Sequence, residues 1–154
     1  MKISQKLKLN LSPAEIMEAS DIYWQGVSEN LQYYPDASVF MNRAKELKIP
    51  LIWMTGSDSR TKISEGYQND WMINYDPEYS KNKKMERLAG LLQDFPGIIE
   101  IGDPIDKPED GFYDLVFAHT KGIENKDILV VGDSEINDLE NARERGCQTI
   151  LINR

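Results

Sequence analysis

The stretch Ile128-Leu-Val-Val-Gly-Asp-Ser-Glu-Ile-Asn-Asp138 constrains this chain more than any other. Four apolar residues run into Gly132 and Asp133, and a second carboxylate follows at Asp138. That is the pattern of a buried parallel strand delivering two acids to its carboxyl-terminal end, where open α/β sheets place their ligands. Paired carboxylates there suit a hard divalent cation. Taken alone, the pair also has a plainer explanation. Asp138 is then an ordinary acid in the first turn of the next helix, and Asp133 a turn residue after Gly132.

The rest of the chain alternates strand and helix signals. Lys6 to Leu11 alternates polar and apolar residues, as a half-buried strand does. Ser12-Pro13-Ala14-Glu15 is a capping box with Pro at the first helical position. Ile16, Ser20, Tyr23, Val27 and Leu31 continue at helical spacing. Asp36 is the expected N-cap of a second helix carrying Val39, Phe40, Arg43, Ala44 and Leu47. Ile49 to Met54 is a continuous apolar run, expected as a strand buried on both faces and closed by the polar loop Thr55-Gly56-Ser57-Asp58. Ser57 to Thr61 is a candidate helix start, and Tyr67 to Tyr79 an irregular insertion. Lys81 to Gln93 reads as a helix with Met85, Leu88, Ala89 and Leu92 inward. Ile98 to Ile101 is a short strand. Glu109 to Lys121 is a helix carrying Phe112, Val116 and Phe117, with Gly122 as its stop. The strand Ile128–Val131, a helix from Asn137 to Arg145 stopped by Gly146, and a strand Thr149–Ile152 complete the order. Such alternation argues for an α/β fold with a Rossmann-like parallel sheet and helices on both faces.

A length of 154 residues allows one sizeable core. The net charge of −8 argues against nucleic acid as a bulk electrostatic partner. It leaves room for a small phosphorylated ligand, whose charge one lysine and a metal offset locally. The single cysteine, Cys147, forms no internal disulfide. With no apolar run of membrane length, it points to a reducing, cytoplasmic compartment and away from membranes. Cys147 is expected as a buried, inert thiol. His119, the only histidine, is expected to be structural. Trp53 reads as core, Trp24 as adjoining the inward face of its helix, and Trp71 as a candidate ligand or partner contact. Lys81, Lys83 and Lys84 read as a solvated helix start.

Two further groups add to Asp133 and Asp138. The Thr55 hydroxyl, with N–H groups at Thr55-Gly56 just past a buried strand, can bond a phosphoryl oxygen without adding negative charge. Lys107-Pro108, in a loop before a helix, can balance the charge of a phosphate beside an acid cluster. Each signal is weak alone, and their order and spacing together are far more specific.

On these residues the chain resembles the haloacid dehalogenase-like (HAD) superfamily. Its second motif is matched by Leu51-Ile-Trp-Met-Thr-Gly-Ser-Asp58, its third by Asp106-Lys-Pro-Glu-Asp-Gly-Phe112, and its fourth by Val130-Val-Gly-Asp-Ser-Glu-Ile-Asn-Asp138. The resemblance implies that Thr55, Gly56 and Lys107 bind phosphate, with Thr55 and Lys107 serving catalysis. It implies that Asp133 binds Mg²⁺, supported by Asp138, and that a small phosphorylated substrate is hydrolysed through an aspartyl-phosphate. It covers the core from Tyr33 to Arg154. Residues 1–32 then form a separate amino-terminal segment, a remnant of a cap or of the helix returning from it.

One family motif has no counterpart. The first motif is a strand ending in Asp-x-Asp, whose first Asp is the nucleophile, and no Asp-x-Asp occurs in these 154 residues. Asp103 and Asp106 show no apolar strand leading to a paired acid. The first-motif strand also lies between the second- and fourth-motif strands, so its loss leaves a gap or a shifted register there. Without that carboxylate, Thr55, Lys107 and Asp133 can position a phosphate but cannot attack it. Three expectations follow. The chain is the carboxyl-terminal part of a HAD hydrolase, inactive alone, with an upstream segment or partner chain supplying the strand. Alternatively it is a non-catalytic HAD-derived module that binds phosphate or another protein. The third is a different doubly wound protein, and the absence of Gly-rich nucleotide loops speaks against a nucleotide binder of that kind.

Overall fold

The computed structural model describes residues 11–63 and 73–153. Most of the expected Lys6–Leu11 strand, and Trp71 with residues 67–72 of the expected Tyr67–Tyr79 insertion, lie outside them.

Helix α1 spans Pro13–Glu29 and begins as its sequence predicts. The Ser12 hydroxyl accepts from the Glu15 N–H, and the Glu15 carboxylate accepts from the Ser12 N–H at 2.7 Å. Helix α2, Pro35–Glu46, departs from expectation at its start. Tyr34 is the N-cap residue and makes no side-chain cap; Pro35 takes the first helical position and Asp36 lies inside the first turn. The preset φ of proline suits that position, so the helix begins ahead of the acid. Its buried residues are Met41 and Ala44, while Val39 and Phe40 are exposed.

Strand β1 is Ile52–Gly56, so Thr55 and Gly56 belong to the strand rather than to a loop beyond it. All five residues are half-buried, short of the full two-sided burial expected. No helix opens at Ser57. Instead β2 (Thr61–Ile63) pairs antiparallel with β3 (Ile73–Tyr75). Helix α3, Pro77–Asp94, starts four residues before the expected Lys81, with Asp76 accepting from the Tyr79 N–H. Its buried positions are polar, Ser80 and Lys84, whereas Met85 and Ala89 are exposed.

Strand β4, Ile98–Gly102, lies parallel to β1, from Ile52 opposite Ile98 to Gly56 opposite Gly102. Helix α4 is Asp110–Phe117, continued by a 3₁₀ turn to Thr120. Strand β5, Leu129–Gly132, pairs in parallel with β6, Gln148–Leu151. Between them a π-helical turn, Glu135–Leu139, leads into α5, Glu140–Glu144. Gly122 and Gly146 follow their helical segments at φ +89° and +87°, the left-handed geometry expected of helix stops.

The main core lies in the carboxyl-terminal half. Phe112, Tyr113, Val116, Val130, Leu139, Ala142 and Cys147 form one buried cluster, with Ile52 and Met54 of β1 packed against it. Complete burial of a ring such as Phe112 contributes about 3 kcal/mol. Cys147 is buried and free, as expected. The parallel pairs with helices packed on them make this a Rossmann-like α/β core. Yet β1 and β5 share this core with no ladder joining them: among the described residues, the strands form three separate pairs.

Candidate functional site

Among the described residues, the two buried acids, Asp103 and Asp138, lie just past the carboxyl ends of β4 and β5. Asp138 is 6% exposed, in the turn that follows β5. Its Oδ1 accepts from Lys107 Nζ at 2.6 Å, and its Oδ2 accepts from the N–H groups of Asp133 and Ser134 at 3.2 and 3.0 Å. Burial pushes the Asp138 carboxyl up, but the Lys107 ammonium and the Ser134 N–H more than offset it and hold the carboxyl below its ordinary value. The turn is pinned from the other side by Tyr113, whose hydroxyl donates to the Asn137 carbonyl at 2.6 Å. Burial, with the nearby Asp138 charge, pushes that phenol up to about 12. Tyr113 sits beside Phe112 on α4, and helical spacing alone did not mark it as inward.

Gly132 makes this approach possible. A Cβ there would run into the Cβ and carboxyl group of Asp138, with Cγ at 2.8 Å. Gly132→Ala is therefore expected to push Asp138 off its partners. A loss of about 1–3 kcal/mol in stability follows from the overpacking, measurable by urea unfolding.

The other expected residues are placed as follows. Asp133 is exposed, next to Asp138. Thr55 and Gly56 end β1 and reach the lysine through an intermediary that the sequence did not single out, Asp106. Its Oδ2 accepts from the Ser57 N–H at 2.8 Å and its Oδ1 from the Lys107 N–H at 2.7 Å. It lies so close over β4 that a Cβ on Gly102 would collide with it. Asp103 follows β4 directly, as the expected Ile98–Ile101 strand implied, and is 3% exposed. It accepts from the Ser57 hydroxyl at 2.7 Å, and its other oxygen has no partner among the described residues. Two acids thus converge on Ser57. The spacing Asp-x-x-Asp before Lys-Pro is the signal that would have found them. His119 is exposed and faces Glu100 at 3.8 Å. Trp53 is half-buried, its indole N–H donating to the Phe95 carbonyl at 3.2 Å.

A magnesium ion needs six oxygen ligands in near-octahedral order, with one or two carboxylates completed by water or phosphate. Among the described residues, no group of three or more His, Cys, Asp or Glu side chains converges to hold a metal. Both Asp138 oxygens are committed to Lys107 and backbone N–H groups, which leaves Asp133 as the available carboxylate of the expected pair. These residues by themselves do not fit a Mg²⁺ site.

A second buried charge cluster stands beyond β1. Asp58, its side chain 4% exposed, accepts from Lys84 Nζ at 2.7 Å and from both Nε and Nη2 of Arg87 at 3.2 and 2.6 Å. Lys84 was expected to be solvated. Burial instead pushes its ammonium below the ordinary lysine value, against the pull of Asp58.

Residues 104–154 match the family model described as HAD-hydrolase-like. Among solved structures, the chain is similar to a HAD phosphatase from Thermococcus onnurineus, at 22% identity and a TM-score of 0.53. That likeness covers 98% of this chain and 57% of the other, so the chain spans little more than half the length of its structural neighbour. No curated protein matches it significantly in sequence. No helix among the described residues is long and apolar enough to cross a membrane.

Proposed function

We propose that this chain, whose residues 104–154 match the HAD-hydrolase-like family model, forms the phosphate-handling part of a phosphomonoester hydrolase. The attacking carboxylate comes from a strand outside these 154 residues, on an upstream segment or a partner chain. The observation that carries this reading is the unjoined pair of strands. β1 and β5 pack into one core, with Lys107 and Asp138 bonded beyond their carboxyl ends, and no ladder connects them. A strand entering there gains two edges of backbone partners.

Each residue then has a role. Lys107 neutralises the phosphoryl charge, and Asp138 orients that lysine from below. The Thr55 hydroxyl donates to a phosphoryl oxygen. Asp133 would be the one carboxylate this chain offers to a Mg²⁺ whose other ligands come from outside the described residues, and such an ion would supply charge shielding at the phosphate. The free, buried Cys147 suits a reducing, cytoplasmic setting. A second reading, a non-catalytic phosphate-binding or interaction module, draws on Asp106. Its carboxylate already occupies the Ser57 N–H, the first amide past β1, which favours the interaction-module form of this reading.

The test is p-nitrophenyl phosphate hydrolysis by the purified 154-residue chain with Mg²⁺. The expected result is no turnover above the uncatalysed rate. Turnover by this chain alone refutes an external nucleophile. The coding sequence upstream of Met1 separates the two readings, since an in-frame strand ending in Asp-x-Asp supports the first.

A further inference from the structure

We propose that the cleft between α1 and α3 is a second anion site, distinct from the Lys107 region, that takes the acidic group of a small organic anion on Arg60. Its volume is about 380 Å³, and its walls include Trp24 and Ser28 of α1, Arg60, and Lys83 and Arg87 of α3. That volume falls within the range of small-molecule sites.

Arg60 is the distinguishing group. Its side chain is only 10% exposed, and its Nε has no hydrogen-bond acceptor among the described residues. The Asp21 carboxylate is 4.0 Å from its Nη1 and largely exposed to water, a weak counter-charge. The neighbouring cations are committed: Arg87 and Lys84 to Asp58, and Lys83 to Glu86 at 2.7 Å. A buried guanidinium donor without an acceptor carries its full desolvation cost, and a ligand oxyanion removes it. The planar fork of arginine matches carboxylate and phosphate oxygens.

The backbone is shaped to present this side chain. Ser59 sits at φ +49°, a left-handed conformation that serine adopts rarely. Its neighbours diverge there: Asp58 turns to Lys84 and Arg87, and Arg60 turns to α1. The Arg60 N–H donates to the buried Ser80 hydroxyl at 3.1 Å, and its guanidinium lies 4.6 Å from the Trp24 ring centre. The Arg87 guanidinium is 5.3 Å from the same ring. Trp24 thus holds both arginines by cation–π contact at the cleft.

Nitrogen–proton correlation spectra of the full chain, titrated with inorganic phosphate and separately with succinate at constant ionic strength, test this. The expected result is a saturable shift of the Arg60 Nε–H and Trp24 indole signals, the latter identified by Trp24→Phe. In Arg60→Gln the affinity read at Trp24 falls about tenfold or more, the loss of one charged, forked contact. Saturation by phosphate alone assigns the site to phosphorylated ligands, and by both probes to organic acids generally. An Arg60 Nε–H signal unmoved by either probe in the wild-type chain overturns the proposal, whether or not the variant folds. Signals near Lys107 and Gly132 report on the first site separately, so each reading fails on its own evidence.

Discussion

Lys107→Ala is expected to cost about 3–5 kcal/mol, because it leaves the Asp138 carboxylate buried without its counter-charge. In a chain of this length that lowers the melting temperature by roughly 10 °C. Both side chains are well enclosed, at 17% and 8% exposure, so solvent screening relieves little of the loss. Acid titration reads the same contact with a definite sign. The Asp138 carboxyl is held below its ordinary value of 3.8 in the folded chain. Its contribution is therefore complete above that value and disappears as pH falls through the lower, folded one. Asp138→Asn should flatten that acid-side slope. A slope unchanged by the substitution would show that other carboxyls carry it.

Asp58→Ala is expected to have an effect of similar size, about 3–5 kcal/mol, for the opposite reason. Here one acid is shared by two cations, and its removal strands Lys84 and Arg87 in the interior. Asp58→Asn keeps the shape and one acceptor oxygen, so its urea midpoint should fall between those of the wild type and the alanine variant. Asp58 ends the motif Thr-Gly-Ser-Asp, yet the structure shows it tying the loop after β1 to α3. An unchanged midpoint for Asp58→Ala would mean that the cluster is looser than its distances imply.

The sequence made the order of elements legible where local chemistry acts alone. The Ser12 capping box, the Gly146 stop and the strand into Gly132 all depend on neighbours a few residues away. Lys107 and Asp138, 31 positions apart, were named together because family motifs placed them in one site. Their direct bond needed the coordinates. What escaped depends on tertiary contact. Lys84 lies on a helix whose apolar stripe pointed elsewhere, and only the approach of Asp58 explains its burial. Asp106 resembles any loop acid until β1 and β4 bring Ser57 beside it. Asp36 was mistaken for a cap because proline and aspartate compete to start the same helix, and there proline's fixed φ prevails.

The pairing of β5 with β6 sets a hierarchy of opening within the molecule. Leu129 meets Gln148 across a short connection, and the crossing is closed again by Asn125 on the Arg145 carbonyl and Gln148 on the Lys126 carbonyl. Contacts of such small sequence separation form early and cost little loop entropy. Much of the buried cluster, including Val130, Leu139, Ala142 and Cys147, lies in the same segment. Its amides should be among the last to exchange with deuterated solvent, outlasting those of β2 and β3. The half of the molecule that holds Asp133 and Asp138 would then keep its shape while the amino-terminal half breathes.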